Sequence, residues 1–185
     1  LVREAYTRVL LNPAWMELGF RRAYNLLHMS TIYGSRDPSI IRLMYRLQPY
    51  PCYVEMEVTQ GCWMHCIMCE SNFWNEPNIQ LSFDKFKYVM YQFPDLKWAG
   101  NNALGDPFTN PEYGDMVKYL DDKGVCQELY LTSALLKEKD MKRFTELRGL
   151  VFLKFSFDAA TKETYEKIRV GASFDQVVAN IKAFD

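Results

Sequence analysis

The sequence contains no long hydrophobic segment, although 49% of its 185 residues are apolar. No stretch reaches the ~18 consecutive apolar residues that a membrane-spanning helix requires. The charged opening at Arg3 and Glu4 is not followed by the uninterrupted apolar core of a secretory signal. The sequence therefore favours a cytoplasmic protein with enough apolar surface for a sizeable core.

Neither sign of charge dominates, since the formal net charge is −1 at neutral pH. This balance gives no general case for nucleic acid as a partner. Residues 1–50 nevertheless contain seven Arg and no Lys against three acids, a net charge of +4 that the remaining chain offsets with −5. We interpret residues 1–50 as an N-terminal helical extension and residues 51–185 as a second unit. Membrane contact by the extension is the alternative, and packing on the second unit is favoured because arginine-flanked apolar faces are common on soluble helices.

The five cysteines lack the even, dispersed spacing of a disulfide scaffold. Three of them, Cys62, Cys66 and Cys69, fall within eight residues. Thiolates are soft ligands that hold iron–sulfur clusters, and three protein ligands on a four-iron cube would leave one iron open. Two alternatives remain at this point: a zinc site completed by His65, or reduced structural thiols. Cys52 and Cys126 stand apart and are interpreted as small buried hydrophobes.

From residue 53 onward, strand-like and helix-like patterns alternate, which is typical of parallel α/β architecture. We expect strands at 53–59, 96–100, 127–133 and 151–158. Helices are predicted at 82–93, from 112 to 123, at 137–147 and from residues 161 and 174, after helices at 1–12, 14–30 and 38–47 in the extension. The fold class is therefore α/β, a partial parallel (βα) barrel with four βα units and an N-terminal helical extension.

One face of the predicted strands is polar and should point into the barrel lumen, because the other face must be apolar to meet the helices. This face comprises Glu55, Glu57, Glu128, Tyr130, Lys154, Ser156 and Asp158. It is too polar for a packed core, so it either binds a polar ligand or is laced with ion pairs. Glu57 is nearest the cysteines, and we predict a catalytic role in proton transfer or substrate orientation. An ion pair with Lys154 is the equally weighted alternative.

Four segments together resemble the signature motifs of the radical S-adenosylmethionine (radical SAM) superfamily. They are the Cys-x3-Cys-x2-Cys run at 62–69, Gly105-Asp106-Pro107 with Asn110-Pro111-Glu112, Thr132-Ser133, and the run from Ser156 through Asp158 to Arg169. The resemblance implies that Cys62, Cys66 and Cys69 bind a 4Fe–4S cluster whose open iron is chelated by SAM. It also implies that Gly105 and Asp106 hold the SAM amino group, and that the remaining motif residues contact its ribose or carboxylate: Thr132, Ser133, Ser156, Asp158 and Arg169. Leu104 and Asp106 depart from the family's Gly and Glu.

The same resemblance implies an oxygen-sensitive enzyme that reductively cleaves SAM and abstracts hydrogen from a substrate. It implies an electron donor such as flavodoxin or ferredoxin, and a barrel of six βα units, of which four would be present here. The run from Ser156 to Arg169 is most similar to members with a C-terminal auxiliary-cluster (SPASM-type) domain that modify peptides or proteins. A small molecule or lipid is the alternative substrate, and a zinc-binding or electron-transfer iron–sulfur module is the alternative of a different class.

Overall fold

The computed structural model describes residues 19–47, 50–73, 77–101 and 104–184. The helix predicted at 1–12 and the start of the one at 14–30 lie outside these residues. The helices are α1 (Gly19–Gly34), α2 (Pro38–Leu47), α3 (Phe83–Tyr91), α4 (Tyr113–Asp122), α5 (Glu138–Thr145), α6 (Lys162–Ile168) and α7 (Phe174–Lys182). The strands are β1 (Tyr53–Glu55), β2 (Trp98–Asn101), β3 (Cys126–Leu131) and β4 (Leu150–Phe155). Short 3₁₀ helices occur at Glu70–Phe73 and Pro107–Thr109.

The four strands form one parallel sheet in the order β1-β2-β3-β4. Each is followed by at least one helix, so the predicted α/β fold with four βα units is confirmed. Parallel strands that are sequential in the chain place all four carboxyl ends at one edge of the sheet, which is where α/β folds build their sites.

Strand β1 is shorter than the predicted 53–59. The backbone N–H of Met56 still donates to Gly100 O at 2.9 Å, but the chain then leaves β2. Leu81 N donates to Val58 O at 3.0 Å, and Thr59 forms an antiparallel bridge with Gln80. The segment before α3 therefore takes over the hydrogen bonds, and the cysteine loop begins from this second pairing rather than from the end of a long strand.

The main core lies between the sheet and the helices α3, α4 and α5. It is built from buried side chains that include Phe86, Met116, Leu129, Leu131 and Phe144. A second buried cluster joins the cysteine loop to α6 and α7 through Met64, Cys66, Tyr165, Ala172 and Val177. The cysteine loop is therefore packed against the last two helices and is not a free surface loop.

Helix α1 packs at the amino-terminal end of the sheet. Asn25 Nδ2 donates to Gly124 O at 3.1 Å, and Leu26 and Met29 pack with Trp98 and Cys126, the first residues of β2 and β3. This part of the extension therefore lies at the end of the sheet opposite the cysteine loop. Within the described part of the chain, no helix has both the length and the apolar character needed to cross a bilayer.

Candidate active site

A cleft of about 660 Å³ opens at the carboxyl ends of the strands. It has the size of an ordinary cofactor or ligand site. Residues from all the predicted motifs line it: Cys62, Cys66, Cys69, Gly105, Asp106, Thr132, Ser156 and Arg169. Segments spread over more than a hundred residues of sequence thus meet in one concave site. Ser133, Asp158 and Glu57 do not line it.

The cysteine loop is fixed by hydrogen bonds to the segment that follows α6. His65 N donates to Val170 O at 2.9 Å, and Ile67 N donates to Ile168 O at 3.0 Å. On its other side, Asn72 Nδ2 donates to Cys66 O at 2.6 Å. Asn72 was not predicted, and its position three residues after Cys69 is the only sequence signal that points to it. These bonds orient the loop backbone before any ligand is present.

Arg169 places a positive charge beside the thiol of Cys66. Its Nη1 lies 3.6 Å from Cys66 Sγ, and its Nε donates to Asp158 Oδ2. Burial raises the pKa of the Cys62 thiol, so this thiol stays protonated until a metal displaces the proton. A guanidinium beside the thiols compensates part of the negative charge that three thiolates would bring into the cleft.

The donor set suits a cluster better than a single ion. Among the described residues, no three Cys, His, Asp or Glu side chains are grouped so that they could hold one metal ion. His65, the fourth ligand of the zinc alternative, is exposed outside the cleft with its Nδ1 3.3 Å from Asn72 Oδ1. Three thiols that line one cleft are the soft ligands that an iron–sulfur cube takes, with each thiolate binding a different iron.

Asp106 is almost completely buried, with 1% of its surface exposed, and both carboxylate oxygens have protein partners. Oδ1 accepts from Phe108 N at 3.0 Å. Oδ2 accepts from Thr132 Oγ1 at 2.7 Å and from Trp63 Nε1 at 3.4 Å. Asp106 thus ties the loop after β2 to the end of β3 and to the cysteine loop. Trp63 was not predicted, and its place inside the cysteine motif is its only sequence signal.

Gly105 lies directly against the cysteine loop. A Cβ built on it would stand 2.3 Å from Thr59 O and 2.8 Å from Gly61 O, both backbone atoms. The next residue, Asp106, donates its N–H to Gly61 O at 3.1 Å. Glycine is therefore required here for the close approach of two backbones.

We expect Gly105→Ala to displace the cysteine loop, because the added methyl meets backbone that cannot rotate away. The free energy of unfolding should fall by about 3 kcal/mol, and reconstituted iron should fall with it. Chemical denaturation and iron analysis measure both. Gly34→Ala is the matched control, since nothing lies within 4 Å of its Cβ. A stable, fully reconstituted Gly105→Ala protein would contradict the close packing.

Ser133 lies beside the cleft rather than in it. It has φ 65°, the left-handed region, and it is buried, with its carbonyl accepting from Asn180 Nδ2 at 2.6 Å. Its hydroxyl has no hydrogen-bond partner among the described residues. Ser133 therefore shapes the turn after β3. The family's Asn at this position is the sequence signal, because Asn tolerates the left-handed region.

Glu57 is exposed, and its Oε1 accepts from Leu104 N at 3.1 Å. The alternative ion pair with Lys154 is wrong: among the described residues Lys154 forms no salt bridge, and its Nζ lies 5.2 Å from the centroid of the Tyr130 ring. The two glutamates deeper in the lumen also have another partner. Tyr53 Oη lies 2.5 Å from Glu55 Oε1 and 2.6 Å from Glu128 Oε1, so a tyrosine that was not predicted lies between the two carboxylates and donates its one proton to either of them.

Fold and site together define an α/β protein with a partial parallel barrel and a cysteine-lined cleft at the carboxyl ends of its strands. The family model described as the radical SAM superfamily matches residues 56–185, well over half of the chain. The chain belongs to the radical SAM superfamily. It carries the core of a radical SAM enzyme, and enzymes of this family use a 4Fe–4S cluster and SAM.

Two curated relatives match part of the chain. The tungsten-containing aldehyde ferredoxin oxidoreductase cofactor-modifying protein of Pyrococcus furiosus is 28% identical over 109 residues, which cover 57% of this chain and 30% of that protein. The AdoMet-dependent heme synthase of Methanosarcina barkeri is 25% identical over 138 residues, which cover 71% of this chain and 38% of that protein. The chain thus spans about a third of the length of these relatives.

Among solved structures, Streptococcus suis SuiB bound to its precursor peptide SuiA superimposes with a TM-score of 0.61. The sequences are 12% identical, and the match covers 88% of this chain and 35% of SuiB. At this identity the likeness establishes the fold. It agrees with the parallel sheet and flanking helices described above.

Proposed function

We propose that Cys62, Cys66 and Cys69 hold three irons of a 4Fe–4S cluster and leave the fourth iron to SAM. When bound, the cluster would supply the electron for reductive cleavage of SAM, and that cleavage would supply the radical chemistry that removes a hydrogen atom from the substrate. The observation that supports this proposal most is that the three thiols share one cleft with Asp106, Thr132, Ser156 and Arg169. Zinc binding alone requires none of these other groups.

The other site residues divide into those that would contact SAM and those that would position them. Ser156 and Arg169 line the cleft with a hydroxyl and a guanidinium, which suit a ribose and a carboxylate. Thr132 and the backbone of Gly105 would complete the contacts. Asp158 would act through its ion pair with Arg169, Ser133 through the turn after β3, and the Asp106 carboxylate through the bonds that hold its loop.

For the substrate we propose a peptide or protein, modified by a longer chain in which a SPASM-type auxiliary-cluster domain follows the barrel. The precursor peptide named in the SuiB structure supports this class. The second candidate is a small molecule, which the names of the two curated relatives favour because one is a heme synthase and the other modifies a cofactor.

In either case residues 1–50 would form the N-terminal extension, and residues 51–185 would belong to the barrel. A cytoplasmic flavodoxin or ferredoxin would supply the electron.

The proposal is tested on the full-length protein, purified and reconstituted without oxygen. We expect iron and sulfide equivalent to one four-iron cluster at this site, SAM binding, and slow release of methionine and deoxyadenosine under strong reduction without substrate. Stoichiometric zinc with no iron, or a cluster-loaded protein that does not bind SAM, would refute it.

We propose that Glu57 also serves the substrate, by accepting a proton or orienting a donor from the lumen side. Glu57→Gln keeps an oxygen that can accept from Leu104 N, so cluster content and substrate-free SAM cleavage should be normal. Product formation should fall by about 100-fold or more, as for loss of an acid–base group. Glu57→Ala is the comparison, because it also removes the Leu104 contact. Undiminished product formation by Glu57→Gln would remove Glu57 from the chemistry.

A further inference from the structure

Lys154 is an exposed residue that lines the cleft and forms no salt bridge with the described part of the protein. It projects from β4 and lines the same cleft as Cys62, Cys66 and Arg169. The salt bridges among the described residues do not include it. By contrast Arg169, the other cation of the cleft, is paired with Asp158. The cleft therefore keeps one cation available for a ligand.

Glu70 and Asp106 line the cleft together with Lys154. The three glutamates on the lumen face of the strands form hydrogen bonds elsewhere. Glu55 and Glu128 both lie within hydrogen-bond distance of the Tyr53 hydroxyl, and Glu57 accepts from Leu104 N. Gly100, on the strand between Tyr53 and Glu128, makes this possible, since a Cβ there would stand 3.1 Å from Tyr53 Oη and 3.2 Å from Glu128 Oε1. The Tyr53 hydroxyl has a single proton, so it donates to one of these two carboxylates at a time, and neither carboxylate forms a salt bridge with Lys154.

The Lys154 head group is also held in place. Tyr130 and Lys154 are register partners on β3 and β4, and Lys154 Nζ stands 5.2 Å from the centroid of the Tyr130 ring. A cation–π contact restrains an ammonium without satisfying its hydrogen-bond donors. The three N–H groups of Lys154 therefore remain available to an acceptor that enters the lumen.

The depth of Lys154 indicates which ligand it meets. Ser156, assigned above to SAM, is two residues further along the same strand, so Lys154 lies about 7 Å deeper in the lumen. A substrate carbon has to come within about 3.5 Å of the reacting carbon of SAM, so a substrate that approaches from the lumen would reach the depth of Lys154. A group that binds Lys154 from the lumen thus belongs to the substrate.

We infer that Lys154 positions the substrate by binding an anionic group, a carboxylate, in the layer of the lumen below SAM. This inference rests on the proposed function and deepens it, because it restricts the substrate to molecules with a carboxylate close to the hydrogen that is removed. The carboxylate has two sources, an acidic residue of a peptide or the acid group of a small molecule. The experiment separates them.

The test uses the full-length, cluster-loaded protein with SAM bound, and saturation-transfer NMR of two probes: succinate and a short peptide with a central glutamate. At least one probe should bind, and Lys154→Met should weaken its affinity by roughly 10- to 100-fold. Lys154→Arg should keep most of the affinity. The neutral analogue of the same probe, succinamide or the peptide with glutamine, should bind as weakly to the native protein as the acid binds to Lys154→Met. Binding of the peptide but not of succinate assigns a peptide carboxylate, and the reverse assigns a small molecule.

Lys182→Met is the matched control. Lys182 and Lys154 both border a second groove along the edge of β4, but Lys182 does not line the cleft. It should leave the affinity for the probe unchanged. Equal binding by native protein and Lys154→Met, equal loss in Lys182→Met, or no binding of either probe to native protein at millimolar concentration would overturn the inference. SAM affinity and iron content, measured on the same samples, should be native in all variants. If the native protein itself lacks the cluster or does not bind SAM, the proposed function fails. If the native protein has both, and the affinity for the probe is the same in Lys154→Met, this inference alone is refuted.

Discussion

Replacing Cys66 with alanine should abolish the iron–sulfur absorbance and, with it, all cleavage of SAM. Cys66 is the most buried of the three thiols, with 5% of its surface exposed, and lies 3.6 Å from the Arg169 guanidinium. Two remaining thiolates cannot hold a cube that already has one iron without a protein ligand. Cys62→Ala and Cys69→Ala should give the same result. Iron analysis, the visible spectrum and deoxyadenosine release measure it.

The control for these variants is Cys52→Ser. Cys52 is half-buried at the opposite end of the sheet, with its Sγ 3.7 Å from Met29 Sδ, and does not line the cleft. Iron content and SAM cleavage should match those of the native protein. Circular dichroism should show that the cysteine variants remain folded, since Cys→Ala removes only the sulfur atom from the second buried cluster. Native iron content in Cys66→Ala, or its loss in Cys52→Ser, would contradict the assignment of the ligands.

Replacing Asp106 with alanine should lower the free energy of unfolding by about 3 kcal/mol or more. The change removes the charged acceptor of three hydrogen-bond donors. These donors are Phe108 N–H, Thr132 O–H and Trp63 Nε1–H. Because these donors belong to three different segments, the cysteine loop should also lose its support from the loop after β2. Denaturation of the apoprotein gives the energy, and iron retention gives the effect on the loop.

Thr132→Val is the comparison for Asp106→Ala, since it removes one of the three bonds to Asp106, together with the longer bond from Ala134 N at 3.4 Å, at nearly constant volume. It should cost about 1 kcal/mol. If Asp106 instead served SAM directly, Asp106→Ala would retain native stability and iron but bind SAM weakly. A loss of stability under 1 kcal/mol in Asp106→Ala would therefore reject the supporting role that its two buried oxygens indicate.

The sequence predicted those parts of the site whose determinants are local. The cysteine spacing, the polar residues at strand ends and the start of the helix predicted at 82–93 depend on near neighbours along the chain. The helix does begin there, because Ser82 accepts a hydrogen bond from Lys85 N. Strand alternation also assigned Glu55, Glu128 and Lys154 to the face on which their contacts lie. Period-2 patterns fix the face of a side chain because successive residues must alternate.

Partners across the fold could not be predicted, because they depend on how distant segments meet. Glu57 and Leu104 are 47 positions apart, and Tyr53 and Glu128 are 75 apart. An acid–lysine pair was the simplest pairing of charges on that face, yet one backbone N–H and a tyrosine hydroxyl proved to be the partners. The early end of β1 has the same cause, since the competing strand partner of Val58, Leu81, is supplied by another part of the chain.

The hydrogen bonds from His65 and Ile67 to Val170 and Ile168 have a consequence for biosynthesis. Cys66 and its neighbour Arg169 are 103 residues apart, so the cysteine loop leaves the ribosome long before the segment that fixes it. At typical translation speeds this delay amounts to about 5 to 20 seconds. During that interval the thiols are exposed on a nascent chain that cannot yet form the cleft. Metal delivery that requires a formed cleft must therefore wait until translation has passed residue 170, and the reducing state of the surroundings must protect the thiols until then.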